Sequence, residues 1–97
     1  MRYEIILAPE AVRDLQRLKA NVRAVVEEAL ETYLRYQPRK VSKARIKSLR
    51  GLLRPQFRLR VGQVRIFYDV SEKRVEVLAI VPKSEAEAWL KEAGEEP

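Results

Sequence analysis

Two alternating runs, FRLRV and VRIFYDV, flank Gly62-Gln63. Alternation over five to seven residues is strand periodicity, and glycine at the first of two loop positions suits a type II′ hairpin turn. A two-residue loop sets the register. Val61 then faces Val64, Arg60 faces Arg65, Leu59 faces Ile66, Arg58 faces Phe67 and Phe57 faces Tyr68. Opposed residues share a face of the sheet. One face therefore collects Phe57, Leu59, Val61, Val64, Ile66, Tyr68 and Val70, while the other collects Arg58, Arg60, Arg65, Phe67 and Asp69. After a polar turn at Ser71 to Arg74, a third strand is predicted with Val70 opposite Val75, Tyr68 opposite Val77, Ile66 opposite Ala79, Phe67 opposite Leu78 and Arg65 opposite Ile80. It is apolar on both sides, as a covered central strand is.

The same reading extends outward. RYEIIL alternates and predicts a first strand. Pro9 suits the first position of a helix, and Ala11, Val12, Leu15 and Leu18 form its apolar stripe. Asn21 is placed to cap a second helix carrying Val22, Val25, Val26, Ala29, Leu30, Tyr33 and Leu34, which Gln37-Pro38 ends. Val41 to Arg54 reads as a connector, a short helical turn plus irregular chain. Ser42 is placed to cap it and Ile46, Leu49, Leu52 and Leu53 are its anchors. Ser84-Glu85-Ala86-Glu87 is a capping box for a last short helix, with Ala86, Trp89 and Leu90 inward. The pattern predicts one α+β domain over residues 1–97. Its sheet is twisted and mainly antiparallel, with an N-terminal helical hairpin on one face and a short C-terminal helix.

Composition narrows the chemistry. There is no Cys and no His, so thiolate and imidazole nucleophiles, bases and metal ligands are absent, and no metal or cofactor is expected. No apolar run approaches a membrane span, and the N-terminus lacks the apolar core of a signal peptide, so a cytoplasmic address is expected. The net charge of +6 is unevenly spread. Between Thr32 and Tyr68 there is no Asp or Glu, against eleven Lys and Arg, whereas the remainder nets −5. An uncompensated basic window that ends on the arginine face of the hairpin favours a polyanion partner, and nucleic acid over a membrane surface.

Arg60 directly opposite Arg65 repels across the pair, which is a poor choice for stability alone. Arg58, Arg60 and Arg65 suit phosphate, and Phe67 beside them offers a stacking platform for an unpaired base. Lys43, Arg45, Lys47, Arg50 and Arg54 line the approach and complete an RNA-binding set. If the face cleaves RNA, the available route is attack of the ribose 2′-hydroxyl on the adjacent phosphate, with arginines stabilising the charge that develops. Ordinary packing offers another account of several of these residues. Arg58 can pair with Asp69 or Glu76, Phe67 can pack under the last helix as a second small core, and Tyr68 and Trp89 suit structural roles.

The order of elements, the basic KSLRG connector, FRLRVGQVRIFYDV and VEVLAIV together resemble the RelE/ParE toxin superfamily of bacterial and archaeal toxin–antitoxin systems. The most specific part is L-R-G followed by R-L-R-V-G-x-x-R-I-x-Y. The resemblance implies a RelE-like fold like that of microbial ribonucleases and an acidic antitoxin partner in a hetero-oligomer. In the RelE branch it implies ribosome-dependent cleavage of mRNA without metal. Basic residues of the two central strands bind the scissile phosphate in that branch, which here means Arg58, Arg60 and Arg65. Many members end the last strand with a His-Arg or Lys-Arg pair and place a Tyr shortly after. This chain has Val81-Pro82-Lys83-Ser84, with Lys83 in the place of that arginine and Glu87 at the Tyr position. The ParE branch keeps the fold, lacks the nuclease residues and poisons DNA gyrase. A nucleic-acid-binding module without strong catalysis is the remaining alternative.

Overall fold

The hairpin forms in the register its turn dictates. In the computed structural model, which describes residues 1–97, strands β3 (Phe57–Val61) and β4 (Val64–Val70) pair from Phe57 with Tyr68 to Val61 with Val64. Gly62 takes φ 56° and Gln63 has no positive φ, as a type II′ turn requires. Around this hairpin the chain runs β1 (Glu4–Leu7), α1 (Pro9–Arg17), α2 (Ala20–Ala29) with a π-helical continuation over Leu30–Leu34, β2 (Ile46–Ser48), β3, β4, β5 (Arg74–Pro82) and α3 (Lys83–Ala93). The sheet order is β1-β5-β4-β3-β2. Only β1 with β5 is parallel, and the other three pairings are antiparallel.

The two sheet faces are covered differently. Ala11, Val26, Ala29, Leu30 and Leu34 of the helical hairpin pack with Leu59, Val61, Ile66, Tyr68, Val75 and Val77 into the main core. The Tyr68 hydroxyl, fully buried, donates to the Pro38 carbonyl at 2.6 Å, and burial pushes its phenol upward. On the opposite face Phe67, Ala79 and Val81 make a smaller cluster beneath α3, with Trp89, Ala86 and Leu90 against it.

Several local expectations are corrected. The connector contains a strand: β2 pairs with β3, Ile46 opposite Leu59 and Lys47 opposite Arg58. Three residues give too short a run for periodicity to mark, and only pairing with β3 makes them a strand. Ser42 does not start a helix; its hydroxyl accepts the N–H groups of Arg45 and Ile46, and its own N–H donates to the Ile46 carbonyl, which closes off part of the β2 edge. Asn21 lies inside α2, whose N-cap is Lys19, and α3 begins at Lys83, one residue before the expected cap Ser84. Neither helix has a side-chain cap; each starts from an extended residue delivered by the preceding chain.

The third-strand register also shifts. Val70 faces Val75 and Tyr68 faces Val77 as expected, but Leu78 is an extra residue, after which Phe67 faces Ala79, Ile66 faces Ile80 and Arg65 faces Val81. The bulge swaps faces: Ile80 joins the main core, while Ala79 and Val81 turn to the arginine face. A side chain holds it. β1 pairs with β5 only as far as Leu7 opposite Val77, and beyond that Asp14 of α1 accepts the Ile80 N–H at 2.9 Å. Burial raises the Asp14 carboxyl above its ordinary value, against the lowering effect of that hydrogen bond. Asp14→Ala, which orphans the N–H, should cost about 1–3 kcal/mol. Asp14→Asn keeps the acceptor and should match or exceed wild type at pH 7. The raised pKa means that the folded state binds the proton more readily, so the contribution of Asp14 to stability falls as pH rises through its folded pKa. The advantage of Asp14→Asn should therefore be largest at neutral pH and shrink as pH falls through the raised folded value toward the ordinary 3.8, as thermal melts at pH 7 and pH 4 would show.

Candidate functional site

Strands β3 and β4 place Arg58, Arg60 and Arg65 on the face opposite the helical hairpin. Two lateral rows cross it. One runs Lys47, Arg58, Phe67, Ala79 and the next runs Arg60, Arg65, Val81. Arg65 is 7% exposed, and its Nη1 donates to the carbonyls of Gly62 at 2.9 Å and Val64 at 3.1 Å, which fixes the guanidinium behind the hairpin turn. Arg58 is half-buried, and its Nε is buried with no hydrogen-bond partner. Arg60 is exposed. Burial first, then the Arg60 charge, holds Arg58 below the ordinary arginine value. Burial, then Arg58 and Arg60, does the same to Arg65. The three groups thus sense one another across the strands and form no ion pair. A guanidinium stays protonated at any working pH. The arrangement is a fixed positive site with an unmet donor, suited to a phosphate.

The carboxylates that could have neutralised it are held elsewhere. Arg54 donates from Nη2 to Glu76 Oε1 at 2.8 Å, and its Nε lies 3.0 Å from Asp69 Oδ2. Asp69 Oδ1 also accepts the Gln56 N–H at 2.8 Å. The pairing of Arg58 with Asp69 or Glu76 is therefore not made; Arg54 makes both. Other members of the basic window turn inward too. Arg35 pairs with Glu31 and donates to the Tyr3 carbonyl at 2.9 Å, and Arg39 reaches the Tyr3 hydroxyl and the carbonyls of Val70 and Ser71. Arg45 lies over the Tyr33 ring, 5.2 Å from its centroid, beside a cavity of about 390 Å³ lined by Tyr33, Tyr36 and Lys40 on the helix side of β2. Lys43, Lys47 and Arg50 are exposed and take part in no ion pair. Lys83 is exposed at the start of α3, and its N–H donates to the Gln63 carbonyl at 2.7 Å, which places it at the hairpin-tip end of the face.

Phe67 is not an open platform. It is fully buried, and Trp89 of α3 stacks on it with centroids 4.9 Å apart and planes 9° apart. The Trp89 indole N–H donates to Glu10 Oε2 at 2.7 Å, tying α3 to α1. Trp89 is thus the anchor of the last helix. The residues that sequence reasoning missed are Asp14 and the pairing role of Arg54. The acidic gap before Asp69 was legible, but nothing local shows which arginine the first acid after the gap will meet.

A sequence profile described as the ParE toxin of type II toxin–antitoxin system, parDE, matches residues 5–87. The chain belongs to that family. Its structural likenesses include RelE proteins of the RelE/ParE superfamily. The chain is similar to the toxin–antitoxin complex RelBE2 from Mycobacterium tuberculosis, with 27% identity and a TM-score of 0.73, covering 84% of this chain and 99% of that one. It is similar to the archaeal RelE–RelB complex from Pyrococcus horikoshii OT3, with 26% identity and a TM-score of 0.70, covering 86% and 97%. The fold is shared with a mutant of Escherichia coli toxin RelE in the free state, at 21% identity and a TM-score of 0.70, over 96% and 99%. No curated protein matches the chain at a significant level. For a ParE-family toxin, the open α+β sheet with a helical hairpin on one face is the RelE-like architecture expected from the sequence. No helix is long and apolar enough to cross a membrane.

Proposed function

We propose that this toxin is an endoribonuclease that cuts mRNA on the ribosome in the cytoplasm. The single observation that supports this reading is the Arg58–Arg60–Arg65 cluster, which has no carboxylate of its own and one buried, unpartnered guanidinium nitrogen. In the reaction the ribose 2′-oxygen bonds to the adjacent phosphorus as the bond to the 5′-oxygen breaks. A 2′,3′-cyclic phosphate and a 5′-hydroxyl result; the 2′ proton passes to solvent water and the leaving 5′-oxygen takes one from the general acid. Arg65, fixed by two carbonyls, and Arg58, through its free Nε, stabilise the charge on the non-bridging oxygens. Arg60 meets the phosphate at the exposed surface. Lys83 is the candidate proton donor to the leaving oxygen, because an ammonium can release a proton and a guanidinium does not. Lys43, Lys47 and Arg50 guide the flanking RNA. The partner that silences the toxin is an antitoxin, in keeping with the toxin–antitoxin complex from M. tuberculosis and the RelE–RelB complex from P. horikoshii, and the acid-free basic window calls for an acidic one.

Gyrase inhibition is the second reading. It is favoured by the ParE profile and by the lack of any His on the chain to act as base. One experiment separates the two. After induction in cells, mRNA 5′ ends are mapped by primer extension, and purified gyrase is assayed for supercoiling with added toxin. New 5′ ends inside translated codons, with gyrase unaffected, are expected. Intact mRNA with inhibited supercoiling would replace the proposal by the gyrase reading.

A further inference from the structure

Three carboxylates gather at one end of the arginine face. Asp69 and Glu76 are opposite each other on β4 and β5; burial above all raises the Asp69 carboxyl, the Gln56 N–H and Arg54 oppose that, and Glu76 and Glu95 add a smaller repulsion. Arg54 is the cation that meets them, with contacts of 3.0 Å to Asp69 and 2.8 Å to Glu76. Its backbone is fixed independently. The Arg54 carbonyl accepts the Glu95 N–H at 2.7 Å, and the neighbouring Leu53 N–H donates to the Glu95 carbonyl at 2.7 Å. The chain leaving α3 therefore straps the connector down and delivers the guanidinium to the acids.

Two further cations lie near those acids: Arg74, which lines a cavity with both and sits 3.4 Å from Glu4, and Arg58, which has no acidic partner. Arg58 lies opposite Phe67, and Asp69 is two residues further along the same strand, on the same face. Such diagonal neighbours have Cα atoms about 7–8 Å apart, within reach of a long side chain. Arg58 also has an unmet Nε donor. A partly buried Asp69 carboxylate, repelled by the half-exposed Glu76 beside it, would pair with an unpaired arginine unless something else satisfied it.

We propose that Arg54 is a positioning residue: by holding the Asp69 and Glu76 carboxylates, it keeps Arg58 unpaired and the arginine face open to phosphate. The face being an RNA site rests on the function proposed above; the exchange of partners between Arg54 and Arg58 does not. Arg54 itself touches no RNA under this proposal.

The test uses the full chain and four variants: Arg54→Gln, Asp69→Asn/Glu76→Gln, the triple combination of these, and Arg54→Gln with Glu27→Gln/Glu28→Gln. The last matches the triple variant in charge but alters exposed acids on α2. Two quantities are read, the Arg58 Nε–H resonance and the affinity for a labelled single-stranded RNA oligonucleotide across a salt series. Arg54→Gln should shift the Arg58 resonance and lower affinity about fivefold near 0.1 M salt, with a salt slope smaller by about 0.7, as expected for one lost phosphate contact. The triple variant should restore both, and the charge-matched control should not. An unmoved Arg58 resonance in Arg54→Gln, or equal rescue by the distant pair, would overturn the proposal. If Arg54→Gln does not fold, the triple variant is compared with Asp69→Asn/Glu76→Gln. Equal affinity supports the proposal, and a further fivefold loss means that Arg54 contacts RNA directly and overturns it. If wild type binds no RNA, the RNA-site reading fails, while the Arg58 resonance still decides the role of Arg54.

Discussion

Replacing Arg65 by alanine is expected to lower RNA cleavage by about 10²- to 10³-fold while leaving a folded protein, the loss seen when one preorganised oxyanion donor is removed. The rigidity of the group is the reason. It lies on a middle strand, its position is set by a two-residue turn, and two carbonyls hold its Nη1. Water offers no comparable fixed donor, so the transition state loses the whole benefit. Stability responds to opposing effects. The substitution deletes two hydrogen bonds to carbonyls, and it also removes a 7%-exposed charge that Arg58 and Arg60 repel. These offset to within about 1 kcal/mol, so the melting temperature should move by no more than about 4–8 °C. Arg65→Lys keeps the charge but loses the planar fork, and should fall between wild type and alanine in activity. A melting temperature that collapses in Arg65→Ala would instead mark Arg65 as a structural clamp of the hairpin.

Phe67→Ala should have the largest effect on stability. The ring is fully buried between Ala79, Val81 and Trp89, and its loss leaves a cavity and strips α3 of its main stacking partner. Such truncations cost about 3–5 kcal/mol, against about 5–15 kcal/mol for a whole domain. A fall in melting temperature on the order of 15–30 °C follows for a chain of this length. Phe67→Leu, which largely keeps the volume, should cost less than about 1.5 kcal/mol and leave RNA affinity unchanged. Thermal melts and RNA titrations of both variants decide between a second core and a base platform. Affinity that falls in Phe67→Leu without loss of stability would return the ring to the binding surface.

What the sequence determined by itself was whatever rests on a local repeat. Period-two alternation on either side of Gly62-Gln63 places Arg60 opposite Arg65 and assigns Leu59, Val61, Val64, Ile66 and Tyr68 to the main core, because a two-residue turn admits one register. The apolar stripes of the two helices were legible for the same reason, with Ala11, Val26, Ala29, Leu30 and Leu34 buried although Val12 and Val25 are exposed, and the acid-free window before Asp69 was legible from charge alone. Where the local pattern has no phase, the tertiary structure decided. The last strand is apolar on both faces, so nothing in its sequence marks the bulge at Leu78; the ending of β1 and the reach of Asp14 to the Ile80 N–H place it there. That bulge puts Ala79 and Val81 under Phe67 and closes the ring beneath Trp89. The short β2 exists only as a partner of β3. Most consequentially, the choice of cation for Asp69 and Glu76 depended on the path of a connector and a tail that meet from opposite ends of the chain. Arg54 arrives there because Glu95 pairs with its backbone, and Arg58, nearer in the sheet pattern, is left free. Ion pairing follows distance in space and the cost of leaving a buried charge unmet, neither of which a one-dimensional pattern contains.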